Sequence, residues 1–359
     1  MNIAFIIGGM EKIGGIGRVT SILTDELVKN PEYNIILISY VNSGSKKHYN
    51  TSNKIKQYHL YEKATTMTSS ILFKRGINKL KKILRKENVD ILIAAGALFY
   101  PISYFATRGL KCKCYFWEHT NPKIGSDYKF QKLARKFSIK ADKTIVLTDT
   151  ALDFYKNMGI FSSKLVQIPN PIDPALLKLN KYDLNSKKII SVGRLSYPKN
   201  FSLAIEIASE ILPLYSDWTW DIYGSGDEEE TLRKKITTLN LVNRVNLKGS
   251  VKNLYDKYPQ YSFLVMTSRY EGFPMSLIEA GSMGLPLISF DIETGPNEII
   301  STGKNGFLID PLNKDQMIEK IKILIDNPDI RTQMSINSSI VHDKFNMLGI
   351  LEAWGKILK

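Results

Sequence analysis

Short apolar runs alternate with stretches of helical periodicity along the whole chain of 359 residues. In the first half the runs are NIAFIIGG, NIILISYV, IKQYHL, ILIAAG, CYFWEH, KTIVLTD and KLVQIPN; in the second they are KIISVGR, WDIYGSG, RVNLKGS, YSFLVMTS, LPLISFD and NGFLID. Most are apolar without strict alternation, the pattern of parallel strands covered on both faces, and helical-length segments separate many of them. Two α/β sheets in series are predicted. The join is placed at IPNPIDP, residues 168–174, where prolines cannot support a continuing helix. Domains over 1–172 and 173–340 follow, with residues 341–359 as an amphipathic C-terminal helix expected to cross back onto the first domain. Length agrees, since the chain exceeds the size at which one core keeps growing.

Composition narrows the class. Hydrophobic residues make up 43% of the chain, yet no run reaches the roughly 20 apolar residues that cross a bilayer. MNIAFIIGGM lacks a cationic leader and a small-residue cleavage site, so a cytosolic location is expected. Cys112 and Cys114 lie two apart in a strand and point to one face, which is poor disulfide geometry and too few ligands for zinc. Without an HExxH, a paired CxxC or an Asp-x-Asp, chemistry without a metal is expected. Charge is uneven: residues 1–172 carry 27 Lys/Arg against 12 Asp/Glu, and residues 173–359 carry 22 against 23. Much of the excess lies in FKRGINKLKKILRKEN and KFQKLARKFSIKADK, where Phe73, Ile77, Leu80 and Leu84 recur at helical spacing between lysines. A solvated helix surface and a face for an anionic membrane both fit. Nucleic acid is not expected, because no recognised module or stacking motif accompanies the charge.

Ligands of doubly wound sheets bind beyond the carboxyl ends of the strands, and four stretches sit there. GGMEKIGGIGRVT follows the first strand; Gly14, Gly15 and Gly17 admit a close ligand, and a helix from near Arg18 would aim its amides at a phosphate. It is no nicotinamide fingerprint, which would need glycine at Thr20 and an acidic end to the second strand. SVGRLSYPKN offers Arg194 and Lys199, two cations of different reach that suit a diphosphate, with Asn200 as a helix cap. RYEGFPMSLIEAGSMGLP sets Glu271 in a loop, Pro274 in a first helical turn and Glu279 within the helix; carboxylates are acceptors suited to sugar hydroxyls. WEHTNP puts His119 at the end of a strand. Each also has a plainer reading as a turn, a surface charge or a structural histidine.

Together these stretches resemble the retaining glycosyltransferases of family 4, most specifically over residues 188–310, where EGFPMSLIE is similar to that family's E-x7-E motif. The resemblance implies the GT-B fold, two doubly wound Rossmann-like domains facing across a cleft. It implies catalytic roles for His119 and Glu271, a donor sugar held by Glu271, Gly272, Phe273 and Pro274, a diphosphate held by Gly15, Gly17, Arg194 and Lys199, and a ribose held by Glu279. No cofactor is implied beyond a nucleotide-sugar co-substrate, UDP-linked on family resemblance. GPNEII is similar to a segment of bacterial members that build surface polysaccharides, which implies a glycan acceptor, lipid-linked, in capsule, O-antigen or exopolysaccharide biosynthesis. The basic first domain would then meet the inner face of the plasma membrane peripherally. The alternative is a noncatalytic nucleotide- or carbohydrate-binding protein of the same fold.

Overall fold

The computed structural model describes residues 1–10, 14–42, 49, 51–62, 70–123, 129–178, 183, 185–252 and 254–359. Each of the thirteen apolar runs forms a strand. The chain folds as two compact units, Met1–Pro171 with Leu348–Lys359 and Ile172–Met347.

In the first unit, β1 (Asn2–Ile7), α1 (Gly15–Leu27), β2 (Asn34–Val41), β3 (Lys56–Tyr61), α2 (Ser70–Lys86), β4 (Ile91–Ala95), α3 (Tyr100–Thr107), β5 (Lys113–Trp117), α4 (Lys129–Phe137), β6 (Lys143–Val146), α5 (Asp149–Asn157) and β7 (Leu165–Gln167) follow one another. The strands lie side by side as β3-β2-β1-β4-β5-β6-β7. Every pairing is parallel. Both faces are covered, which is why β1 is apolar at consecutive positions. Ala4 and Ile6 join a cluster with Leu80, Leu84, Ile102 and Tyr155 from the helices of one face. Phe5, between them, meets Trp117 and Trp354 at ring centroids of 6.3 and 6.1 Å. On α2 the expected stripe faces the core: Leu80 and Leu84 are buried, and Phe73 and Ile77 pack partly buried beside them. Cys114 joins the same cluster, Cys112 packs against it, and no disulfide joins them.

The second unit contains β8 (Lys188–Val192), α6 (Phe201–Ile211), β9 (Thr219–Tyr223), α7 (Glu229–Thr238), β10 (Val245–Gly249), β11 (Phe263–Met266), α8 (Met275–Ser282), β12 (Leu287–Phe290), α9 (Pro296–Ile299), β13 (Gly306–Ile309), α10 (Lys314–Asp326), α11 (Pro328–Asn337) and α12 (Ser339–Phe345). Its order is β10-β9-β8-β11-β12-β13, again parallel throughout. Both sheets are therefore doubly wound. The order reverses between β1 and β4 in one and between β8 and β11 in the other, so the loops leaving each of those pairs diverge, and it is at such points that open α/β sheets bind ligands.

The return to the first unit starts later than residue 341. Helix α12 belongs to the second unit, where Phe345 is buried against Phe273 with ring centroids 5.5 Å apart and Val341 lies close over Gly281. Only from Leu348 does the chain join the first unit, through α13 (Met347–Ile357). Trp354 of α13 is fully buried against Phe5 and Trp117, and the Tyr115 hydroxyl donates to the Ile357 carbonyl at 2.8 Å. Deleting a buried indole leaves a cavity that its neighbours fill only in part. Trp354→Ala is expected to destabilise the first unit by about 3–5 kcal/mol in urea denaturation; a loss below about 1 kcal/mol would mean that α13 is only loosely docked.

Candidate functional site

Two loops flank the order reversal of the second sheet, and they supply an opposed cation and anion. The loop after β8 is stitched to the loop after β9 by main-chain bonds from Gly193 N to Tyr223 O, Leu195 N to Ser225 O and Glu228 N to Leu195 O, each 3.0 Å. Such closeness requires glycine on the facing loop. At Gly224, where φ is +143°, a Cβ would stand 1.8 Å from the Gly193 carbonyl oxygen, and at Gly226 it would stand 2.2 Å from that of Leu195. The methylene stem of Lys199 crosses Gly193, where a side chain would meet it at 3.1 Å. Its ammonium thereby reaches Glu271 on the loop after β11, with Nζ 2.5 Å from Oε1.

Glu271 is fixed from three sides. Ser268 donates to the same Oε1 at 2.7 Å, and the Thr294 hydroxyl donates to the Glu271 main-chain carbonyl. The two loops are also tied directly. Thr267 donates to the carbonyls of Lys199 and Asn200 at 3.2 and 3.1 Å, and the Arg269 amide donates to the Pro198 carbonyl at 2.8 Å. The Arg269 guanidinium lies over the Tyr197 ring at 4.7 Å and donates to Asn200 Oδ1 at 2.8 Å. Asn200 stands at the N-cap position of α6 in the left-handed region (φ 53°), but its side chain makes no capping bond. The oxygen is taken by Arg269 instead. The Lys199 and Glu271 side chains remain 22% and 11% exposed, so a ligand can reach the pair. Arg194 is exposed on the same loop as Lys199.

The other residues of the glutamate motif are placed differently. Glu279, in the middle of α8, is 2% exposed and accepts from the Tyr258 hydroxyl at 2.9 Å. The Phe273 ring turns into the core onto Phe345, so its side chain is not presented to a ligand, and Pro274 is the N-cap residue of α8. Gly295, with φ at +99°, brings its loop so close to Pro274 that a Cβ would stand 2.4 Å from Cδ. Ser268, Thr294, Arg269 and Tyr258 escaped the sequence reading.

In the first unit, residues 11–13 of the glycine stretch lie outside the described residues. Helix α1 begins at Gly15 and has no acidic residue in its first turn to offset the positive end of its dipole. Among the described residues nothing lies within 4 Å of a Cβ built on Gly15, whereas one on Gly17 would meet the Tyr49 ring at 3.3 Å. The Tyr49 hydroxyl accepts from Gly14 N at 3.0 Å and donates to Gly14 O at 3.2 Å. His119 follows β5 and is 9% exposed, its ring 4.1 Å from that of Trp117. Among the described residues its buried Nε2 has no hydrogen-bond partner. Burial lowers its pKa from 6.5 to about 3. A neutral imidazole at ordinary pH exchanges hydrogen bonds rather than supplying a positive charge. No group of three or more metal-ligating side chains occurs among the described residues.

Residues 13–176 match the family model described as Glycosyltransferase Family 4, and residues 177–340 match that described as Glycosyl transferases group 1. The chain is 27% identical over 358 residues to an uncharacterized glycosyltransferase of Haemophilus influenzae, covering 99% of both. It is 27% identical over 363 residues to the amylovoran biosynthesis glycosyltransferase AmsD of Erwinia amylovora, covering 98% of both. Its fold is similar to that of a TarM variant from S. aureus, crystallised with fondaparinux, α-GlcNAc-glycerol and UDP, at a TM-score of 0.84 and 17% identity over 99% of each chain.

The burial of His119 has a consequence for stability. Below about pH 6.5 the unfolded chain takes up a proton that the folded protein refuses until about pH 3, so stability falls as pH drops through that window. His119→Gln is expected to remove this part of the acid limb. Unfolding free energies of parent and variant, compared between about pH 7 and about pH 5, should diverge by up to about 1.4 kcal/mol per pH unit. Parallel curves would show the imidazole to be solvated.

Proposed function

This chain is a glycosyltransferase of the GT-B fold, and from that premise we propose that it moves a sugar from a UDP-sugar to a lipid-linked glycan acceptor, with retention of anomeric configuration and without a metal, in bacterial surface-polysaccharide assembly. The observation that carries this reading is the Lys199–Glu271 pair, still reachable and set where the strand order reverses. Donor binding exchanges its partners. The diphosphate takes Lys199 together with Arg194, and the carboxylate of Glu271 turns to the hydroxyls of the sugar. As the bond to the nucleotide diphosphate breaks, negative charge develops beside those cations, and preorganised charge of this kind supplies the largest share of rate enhancement in most enzymes. The amides at Gly15 and Gly17 are assigned to a donor phosphate and neutral His119 to a hydroxyl of the transferring sugar. The main chain of Gly272, Phe273 and Pro274 is assigned to that sugar, and Glu279, steadied by Tyr258, to the ribose.

UDP is supported by the family resemblance of these motifs, and the polysaccharide role by the likeness to a glycosyltransferase of amylovoran biosynthesis over nearly the whole chain. Release of free UDP from a panel of UDP-sugars tests the reading. Glu271→Gln and Arg194→Ala are each expected to lower kcat at least about 100-fold in folded protein. A chain that gains thermal stability from UDP-sugars but never releases UDP would be a noncatalytic binding protein.

The excess positive charge of residues 1–172 supports a lipid-linked acceptor at an anionic surface. No helix of the described residues is long and apolar enough to cross a membrane, so contact would be peripheral. On α2, Lys79 and Lys81 donate to the carbonyls of Leu60 and Arg108, which leaves Lys82 and Lys86 as the residues to reverse without breaking those bonds. Their replacement by glutamate is expected to weaken sedimentation with anionic liposomes at least about tenfold. Unchanged binding would refute the membrane assignment.

A further inference from the structure

Glu118 stands beside His119 and does something else. Its side chain is 1% exposed, and its amide continues the sheet by donating to the Ile145 carbonyl at 2.9 Å. Five donors converge on its carboxylate. Oε1 accepts from His119 N and Thr120 N, each at 3.1 Å, and from the Thr120 hydroxyl at 2.7 Å. Oε2 accepts from Arg135 Nε of α4 at 3.0 Å and from the Tyr155 hydroxyl of α5 at 2.6 Å. Arg135, 3% exposed, also donates through Nη2 to Thr120 Oγ1 at 2.8 Å and to the Asn121 carbonyl at 3.5 Å. Burial and the neighbouring carboxylate raise the Tyr155 pKa well above its ordinary value, so the phenol stays a donor.

A buried ion pair is a poor way to add stability, because desolvation offsets most of the attraction and an apolar replacement often does as well. What such a pair adds is direction. Glu118 is bonded at once to its own following residues, to Arg135 of α4 and to Tyr155 of α5, and Arg135 reaches on to Thr120 and Asn121, so the main chain of residues 118–121 is tied to β6, α4 and α5 together. We propose that Glu118, Arg135 and Tyr155 are positioning residues for sugar transfer, forming a buried clasp that fixes the 119–121 strap and through it the His119 imidazole. The proposal rests on the assignment of His119 to the transferring sugar. It gives the neighbouring carboxylate a role distinct from the acceptor role of Glu271.

The test uses the full chain. Tyr155→Phe removes one oxygen and keeps the ring, Glu118→Gln keeps the volume, and Arg135→Lys keeps the charge but loses the fork that spans Glu118 and Thr120. Each is expected to lower kcat by about 10-fold to 100-fold, the scale of a small misplacement. Donor KM and the affinity for UDP should stay within about threefold, since the clasp includes none of the groups assigned to the nucleotide, which are Arg194, Lys199, Glu279 and the amides of Gly15 and Gly17. A second readout needs no turnover. The imidazole of His119, identified among the four histidines by its absence in His119→Ala, should titrate near 3 in the parent and move up towards 6.5 once the loosened strap admits water. A clasp that serves stability alone would lower the melting temperature and leave kcat of the folded enzyme unchanged. Tyr155→Phe with kcat within about twofold of the parent and an unmoved His119 titration overturns the proposal, even if Glu118→Gln fails to fold. If the parent releases UDP from no donor, the function assigned above is wrong, and the titration still decides whether the clasp holds His119.

Discussion

Lys199 and Glu271 bring back together two loops that the sheet sends apart. Strands β8 and β11 are hydrogen-bonded neighbours, yet the chain turns in opposite directions as it leaves them. An opening at that point follows from topology alone; an ammonium facing a carboxylate across it does not. That requires the β8 loop to be drawn against the β9 loop through contacts only glycines at 224 and 226 permit, and Arg269 and Thr267 to tie it to the β11 loop. The charged pair is the end of that chain of constraints. Its two members are each other's nearest counter-charge and remain partly open to solvent, which suits groups that must change partners when a charged ligand arrives.

The first unit handles charge in the opposite way. Glu118 and Arg135 are sealed from water and bonded to each other, so neither can be exchanged with a ligand without leaving the other stranded at a cost of several kcal/mol. His119 is largely buried, and its lowered pKa leaves it uncharged at ordinary pH. Exposed charge suits binding and buried charge suits geometry.

Much of this was legible in the sequence, for identifiable reasons. Strands buried on both faces need apolar residues at consecutive positions, so all thirteen stood out as runs. Glu271, Arg194 and Lys199 stood out because charge interrupts apolar strand-to-helix junctions. The burial of Glu279 did not, because a short helix covered on nearly every side has no polar face to set the register, and its partner Tyr258 lies 21 residues away. Thr294 acts on a residue 23 positions earlier, and Arg269 on one 69 positions earlier. Such pairings exist only after folding. Glu118 was hidden by its neighbour, since a histidine at a strand end draws attention that a glutamate does not. The break between α12 and α13 was missed because amphipathic periodicity continues across it and the chain leaves helical geometry at Asn346 alone.

The late arrival of Trp354 bears on how the molecule is made. A protein emerging from the ribosome ordinarily completes its leading domain first. Here Phe5 and Trp117 wait for an indole encoded beyond the entire second unit, so that unit can mature while the leading one still lacks part of its interior. Until translation reaches α13, the Phe5 and Trp117 rings lack the cover that Trp354 gives them, and transiently exposed apolar surface of this kind is what makes folding intermediates prone to aggregate.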